Sequence, residues 1–198
     1  MKLRNRIVKI VNKCIPITAQ YYGKMGDKPG VLRPSMNVVA KSNKTDLIGA
    51  EVGVKAGINA KKMLDLMNIK KLYLIDPYLP YTESEEKSVD ISIFKQEAEK
   101  RLSECKNITW IGELSIDATK FIKEELDFVY IDAAHDYENV LQDCRVWYPK
   151  IKAGGVMGGH DFVGSQPGLR RAVRAFCKEK KIKLHIKPDD WWVVKNDL

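Results

Sequence analysis

From Asp46 onward the chain repeats one rhythm: a short apolar run, a turn, a stretch with helical spacing, and another apolar run. DLIGAEV (46–52), KLYLID (71–76), NITWIG (107–112), LDFVYID (126–132) and GGVMGGHD (154–161) read as strands. Between and after them GINAKKMLDLMN (57–68), Ser84–Cys105, Ser115–Glu125, Tyr137–Tyr148 and Leu169–Lys180 read as helices. Strands that alternate with helices bury both faces in an open parallel sheet with helices above and below. KLHIK–PDD–WWVVK (183–195) reads as a closing hairpin. The expected fold is therefore α/β and doubly wound, a mostly parallel seven-stranded sheet with an antiparallel C-terminal pair.

Ahead of this rhythm, Leu3, Ile7, Ile10, Val11 and Cys14 have helical spacing, and residues 20–37 read as loop. There is no repeat and no linker. The expectation is one domain over 1–198, with an N-terminal helix and lid-like loop over 1–45 and the core over 46–198.

Composition narrows the function classes. No run of about 18 apolar residues occurs, so no membrane-spanning helix is expected. The N-terminus lacks the apolar core of a secretory signal. Cys14, Cys105, Cys144 and Cys177 form no CxxC pair, which argues against a zinc ribbon or a redox motif and for reduced thiols in the cytoplasm. The net charge of +8 suits an anionic partner: nucleic acid, a phosphorylated substrate, or weak peripheral contact with an acidic membrane. Basic residues gather in Lys2–Lys13 and Arg170–Lys183, and each cluster also reads as a solvated helix face.

In such sheets ligands bind beyond the carboxyl ends of the strands, where strand order reverses. The first strand ends in Glu51-Val52-Gly53, with Gly57 before the next helix. Glycine there lets backbone approach a ligand. Asp76 ends the second strand, where an acid accepts hydrogen bonds from ribose hydroxyls. Together they point to an adenosine-containing cofactor. Asp132 ends the fourth strand with His135 just beyond it, and His160-Asp161 ends the fifth. Carboxylates and imidazole at one edge suit a divalent cation, and a histidine there can take a proton from a hydroxyl. His185 lies within the hairpin and reads as structural. The four tryptophans read as sugar-stacking or, more simply, as packing.

EVGVKAG, LYLIDPY, FVYIDAAHDYENVLQD and KAGGVMGGHDF together resemble the class I S-adenosylmethionine-dependent methyltransferases, and within them the methyltransferase-24 branch that acts on sugars and small molecules. The resemblance implies a Rossmann-like fold and spans about Asp46 to Phe162. It implies that Glu51, Gly53 and Gly57 surround the methionine part and ribose of the cofactor, and that Asp76 holds the ribose. Gly112, Glu113 and Leu114 would border the adenine. Asp132 would be a catalytic residue that also contacts the cofactor and holds a metal or the substrate, and His135 the general base. Asp132, His160 and Asp161 would form the metal set for Mg2+ or Mn2+. His160 departs from the two-acid form of metal-dependent relatives. Asp132-Ala-Ala-His135 replaces the Asn/Asp-Pro-Pro-Tyr/Phe of relatives that methylate base amines, which favours an oxygen acceptor.

The expected activity is methyl transfer to a hydroxyl of a small molecule, a sugar or sugar phosphate first. Homo-oligomers are also common in this family. Three alternatives stay open at this level. An RNA methyltransferase would use the basic ends. A nicotinamide-dependent oxidoreductase would use the glycine turn but lacks GxGxxG. A non-catalytic cofactor-binding protein would leave His135 idle.

Overall fold

The computed structural model describes residues 30–79 and 90–196. The expected helix over Leu3–Cys14 and the start of the expected Ser84–Cys105 helix lie outside them. All elements below belong to the unit Leu32–Leu198.

Seven strands form one sheet: β1 (Leu47–Val52), β2 (Ile69–Ile75), β3 (Ile108–Ile111), β4 (Leu126–Ile131), β5 (Ile151–Gly159), β6 (His185–Lys187) and β7 (Asp190–Val194). Their order is β3-β2-β1-β4-β5-β7-β6. Neighbours among β1 to β5 pair in parallel, while β7 runs antiparallel to β5 and β6 antiparallel to β7. Strand order reverses between β1 and β4, which fixes the cleft beyond those two strands.

Side chains alternate across each strand and feed two cores. Val52, Ile75, Val129 and Ile131 pack with α5 (Tyr137–Trp147) and α6 (Pro167–Lys180). Leu72, Leu74, Phe128 and Tyr130 pack on the other face with α1 (Pro34–Ala40), α2 (Ile58–Leu66) and α3 (Ile91–Leu102). Trp147, Trp191 and Trp192 are buried; Trp110 is exposed. The His185 ring stacks on Trp192 with centroids 5.3 Å apart, so its place is structural.

Three expectations shift. Residues 34–37, expected as loop, open α1. Its local signals are weak, but Pro34 starts the helix and Met36 and Val39 are buried. A distant residue supplies its cap: Asp190 Oδ2 accepts from both Ser35 N (3.0 Å) and Ser35 Oγ (2.6 Å). The helix expected over Ser115–Glu125 is only α4 (Ser115–Ala118) plus a 3₁₀ turn to Phe121. Strand β5 begins at Ile151, three residues before the expected start, and ends before His160-Asp161.

Asp190 is fully buried and also accepts from Tyr130 Oη at 3.1 Å. It thus ties α1, β4 and β7 together at the site end of the sheet. Asp190→Ala would strand the Ser35 and Tyr130 donors, at about 1–3 kcal/mol for each buried group left unpaired. We expect urea denaturation to show a loss of at least about 2 kcal/mol. A loss within about 0.5 kcal/mol, the range of an ordinary surface change, would mean that the three donors are satisfied without Asp190.

Candidate active site

The turn after β1 needs both its glycines. Gly53 has φ +87° and Gly57 φ +71°, a region that side chains avoid. A Cβ on Gly53 would also collide with the carbonyl oxygen of Asp132, so this turn lies directly against the end of β4. At Gly57 a Cβ would come within 3.1–3.3 Å of Leu102 and Ala98, which brings α3 tight against the start of α2.

Asp76 sits at the end of β2, almost fully buried. Its Oδ2 accepts from Val54 N (3.0 Å) and Lys55 N (2.9 Å), and its Oδ1 from Tyr78 N (2.8 Å). Tyr78 Oη donates to the Lys55 carbonyl at 2.8 Å, closing the clamp. Asp76 therefore holds the glycine turn. Burial raises its pKa, against the pull of the Lys55, Tyr78 and Val54 amides. Lys55 (φ 49°) and Tyr78 (φ 49°) adopt left-handed backbone to reach it, which side-chain identity did not signal.

Glu51 lies on the α2 face of β1 and is buried. Its Oε1 accepts from Asn59 Nδ2 at 2.8 Å. Its Oε2 and Asn59 Oδ1 are buried acceptors without a donor among the described residues. Burial, against the Asn59 bond, pushes the Glu51 pKa up to about 8. Two buried oxygens without a partner beside a glycine turn fit the ammonium end of a methionine-type cofactor, whose positive charge would favour the ionised form of Glu51.

Glu113 is exposed in the turn after β3. That turn is anchored by a network absent from the sequence reading. Ser115 Oγ donates to Asp143 Oδ1 at 2.5 Å, and Trp147 Nε1 donates to Ser115 Oγ at 2.8 Å.

At the ends of β4 and β5 the structure brings together Asp132, His135 and Asp161. His135 Nε2 lies 3.0 Å from Asp161 Oδ2. One donor atom from each of the three lies within 4.8 Å of the others. Asp161 reaches this place from left-handed backbone, φ 57°. Its bond to His135, with His160 nearby, lowers its pKa although burial opposes this. Burial raises Asp132 to about 6, against the pull of His160. His160, expected among the metal ligands, instead turns inward. Its Nδ1 lies 3.4 Å from Asp190 Oδ1 without forming a hydrogen bond, and its Nε2 lies 3.7 Å from Asp161 Oδ1. Burial works against its charged form, but Asp190 and Asp132 raise its pKa overall. His135 takes the position in the cluster expected for His160.

Residues 50–162 match the family model of a methyltransferase domain, methyltransferase-24. The chain belongs to this family and is a class I S-adenosylmethionine-dependent methyltransferase. No curated protein matches it by sequence. Among solved structures it is similar to an rRNA methylase from Streptococcus thermophilus, at TM-score 0.60 and 15% identity over 84% of this chain and 99% of that one. It is also similar to the N-methyltransferase NodS from Bradyrhizobium japonicum in complex with S-adenosylhomocysteine, at TM-score 0.57 and 14% identity over 82% and 84%. A third is CalS11, a TDP-rhamnose 3'-O-methyltransferase of calicheamicin biosynthesis, at TM-score 0.60 and 11% identity over 82% and 78%. These likenesses share the fold.

Glu51 gives the site a pH signature. Its folded pKa of about 8 stands above the ordinary 4.5, so the folded chain keeps a proton that the unfolded chain releases. This stabilising share is complete below about pH 4.5 and is lost as pH rises through about 8. The slope approaches about 1.4 kcal/mol per pH unit between those values. Unfolding free energies of the wild type and Glu51→Gln at pH 5, 6.5 and 8 should differ by this slope. Parallel curves would show that Glu51 is charged in the folded chain.

Proposed function

We propose that the chain methylates a hydroxyl of a small molecule, a sugar first, with His135 as the base. The observation that carries this is the His135–Asp161 pair at 3.0 Å beyond β4 and β5, beside Asp132. A carboxylate on one ring nitrogen fixes the tautomer and orientation of the imidazole. With Nε2–H donated to Asp161, the basic lone pair stands on Nδ1. There it collects the proton of an acceptor hydroxyl, and Asp161 stabilises the resulting imidazolium.

S-Adenosylmethionine supplies an activated methyl group on a good leaving group. Glu51 with Asn59 would receive its ammonium, Asp76 its ribose, and the turn through Glu113 would border its adenine. The work left to the protein is to align the acceptor oxygen and take its proton. Asp132 and Asp161 also offer carboxylate oxygens that would suit Mg2+ or Mn2+ beside His135, whose Nδ1 lone pair is kept for the proton. A cation there would lower the pKa of a bound hydroxyl. An oxygen acceptor is further supported by Asp132-Ala-Ala-His135 after β4, and a sugar by the named activity of CalS11.

His135→Ala should lower turnover by about 10²–10⁴ while S-adenosylhomocysteine binds as in the wild type. Asp76→Ala should weaken that binding. Both are read by calorimetric titration and by S-adenosylhomocysteine release over a panel of hydroxyl acceptors, with Mn2+, Mg2+ or chelator. Full activity in His135→Ala, or methyl transfer to a base amine instead of a hydroxyl, would defeat the proposal.

A further inference from the structure

Helix α6, PGLRRAVRAFCKEK, carries five basic residues and one acid, Glu179. That acid is taken: Glu179 accepts from Arg145 Nη2 at 2.7 Å and lies 3.3 Å from Lys180. Arg170, Arg171 and Arg174 have no carboxylate partner among the described residues. Instead each guanidinium lies over an aromatic ring. Arg170 and Arg174 flank Phe162, with Cζ at 5.7 and 5.4 Å from the ring centroid, and Arg171 lies over Tyr137 at 5.0 Å. Arg170 Nε is buried without any hydrogen-bond partner among the described residues.

This arrangement costs free energy. A buried N–H left unpaired costs about 1–3 kcal/mol, and three like charges close together repel. The rings hold the guanidiniums in place while leaving their N–H edges unspent. Such edges match phosphate oxygens two at a time.

The patch adjoins the reacting end of the site. Phe162 follows Asp161 directly, and Tyr137 follows His135 by two residues. Gly168 packs so close that a Cβ would lie 2.8 Å from the His135 carbonyl oxygen. Leu169 lines one crevice with Asp132, His135 and His160. A hydroxyl at His135 and a phosphate at these arginines can therefore belong to one small molecule.

We infer that Arg170 and Arg174, braced on Phe162 with Arg171 beside them, bind the phosphate or diphosphate of a phosphorylated acceptor. The inference rests on the hydroxyl-acceptor reading above and adds the group by which the acceptor is held. Phosphates of a nucleic acid would offer the same oxygens. The patch is confined to the first turns of α6 beside His135, which favours the small molecule.

The test is calorimetric titration of the full chain, saturated with S-adenosylhomocysteine, with inorganic pyrophosphate at constant ionic strength. The wild type should bind. Arg170→Ala/Arg174→Ala should bind about tenfold more weakly or worse, with S-adenosylhomocysteine affinity unchanged. Lys44→Ala, exposed before β1 at the opposite end of the sheet, should match the wild type. His135→Ala should still bind pyrophosphate, so the loss of His135's assigned role would leave this site standing, and the reverse. Should the double variant fail to fold, Arg171→Ala and Arg174→Ala alone, both at exposed residues, should each weaken binding. Equal binding by wild type and arginine variants, or none by the wild type, would overturn the inference. So would arginine-dependent binding of an oligoribonucleotide, with steep salt dependence, in a chain that ignores pyrophosphate.

Discussion

The site depends on one contact between two backbones. The turn after β1 lies against the carbonyl of Asp132 with no side chain between them, because residue 53 is glycine. This happens where strand order reverses, the one place where two neighbouring strands send their connections to opposite faces of the sheet. The same contact fixes the glycine turn and the backbone of Asp132 relative to each other. A methyl group at residue 53 would move both at once. Asp76 then locks the turn from the other side by accepting three backbone N–H groups. The glycine turn and the end of β4 are thus two sides of one junction, which is a physical reason why their residues are spaced along the chain as a set.

Buried carboxylates around this junction fall into two kinds, and their hydrogen bonds separate them. Asp190 has donors from Ser35 and Tyr130, Asp143 has Ser115, and Asp76 has three amides. These acids hold elements together. Glu51 has a single donor and an orphaned oxygen, and its pKa rises to about 8. Nothing in the fold needs a half-satisfied acid at that position, since glutamine or an apolar residue would cost less. A ligand that brings donors would complete it.

The succession of strands and helices along the chain, the parallel core and the hairpin were legible because apolar periodicity reports burial directly. Asp132, His135 and Asp161 were legible because strand ends are easy to locate and acids or imidazoles there are conspicuous. The roles were less so. Which of two histidines faces Asp161 depends on side-chain direction after β5, and His160 is drawn inward by Asp190, which lies thirty residues later. The helix at Pro34 escaped notice for a related reason: its capping acid is 155 residues away. Asp76's grip on the turn depends on left-handed backbone at Lys55 and Tyr78, residue types that do not announce it. Local pattern reveals elements; long-range polar pairing has no local pattern.

The arginines of α6 follow the same logic as Glu51 with the sign reversed. Where this protein needs a charge for its own fold, it supplies a partner: Arg145 has Glu179, Lys152 has Asp127, and Lys71 has Glu124. Arg170, Arg171 and Arg174 have rings instead, and rings satisfy the charge without using the N–H groups. A solvated helix face would not lay three successive guanidiniums on aromatic side chains that flank the proposed base. The basic C-terminal cluster seen in the sequence is therefore two things. Its later lysines are ordinary surface, and its first turns carry the proposed phosphate site. Positive charge there would draw an anionic acceptor toward the side of the site that holds His135.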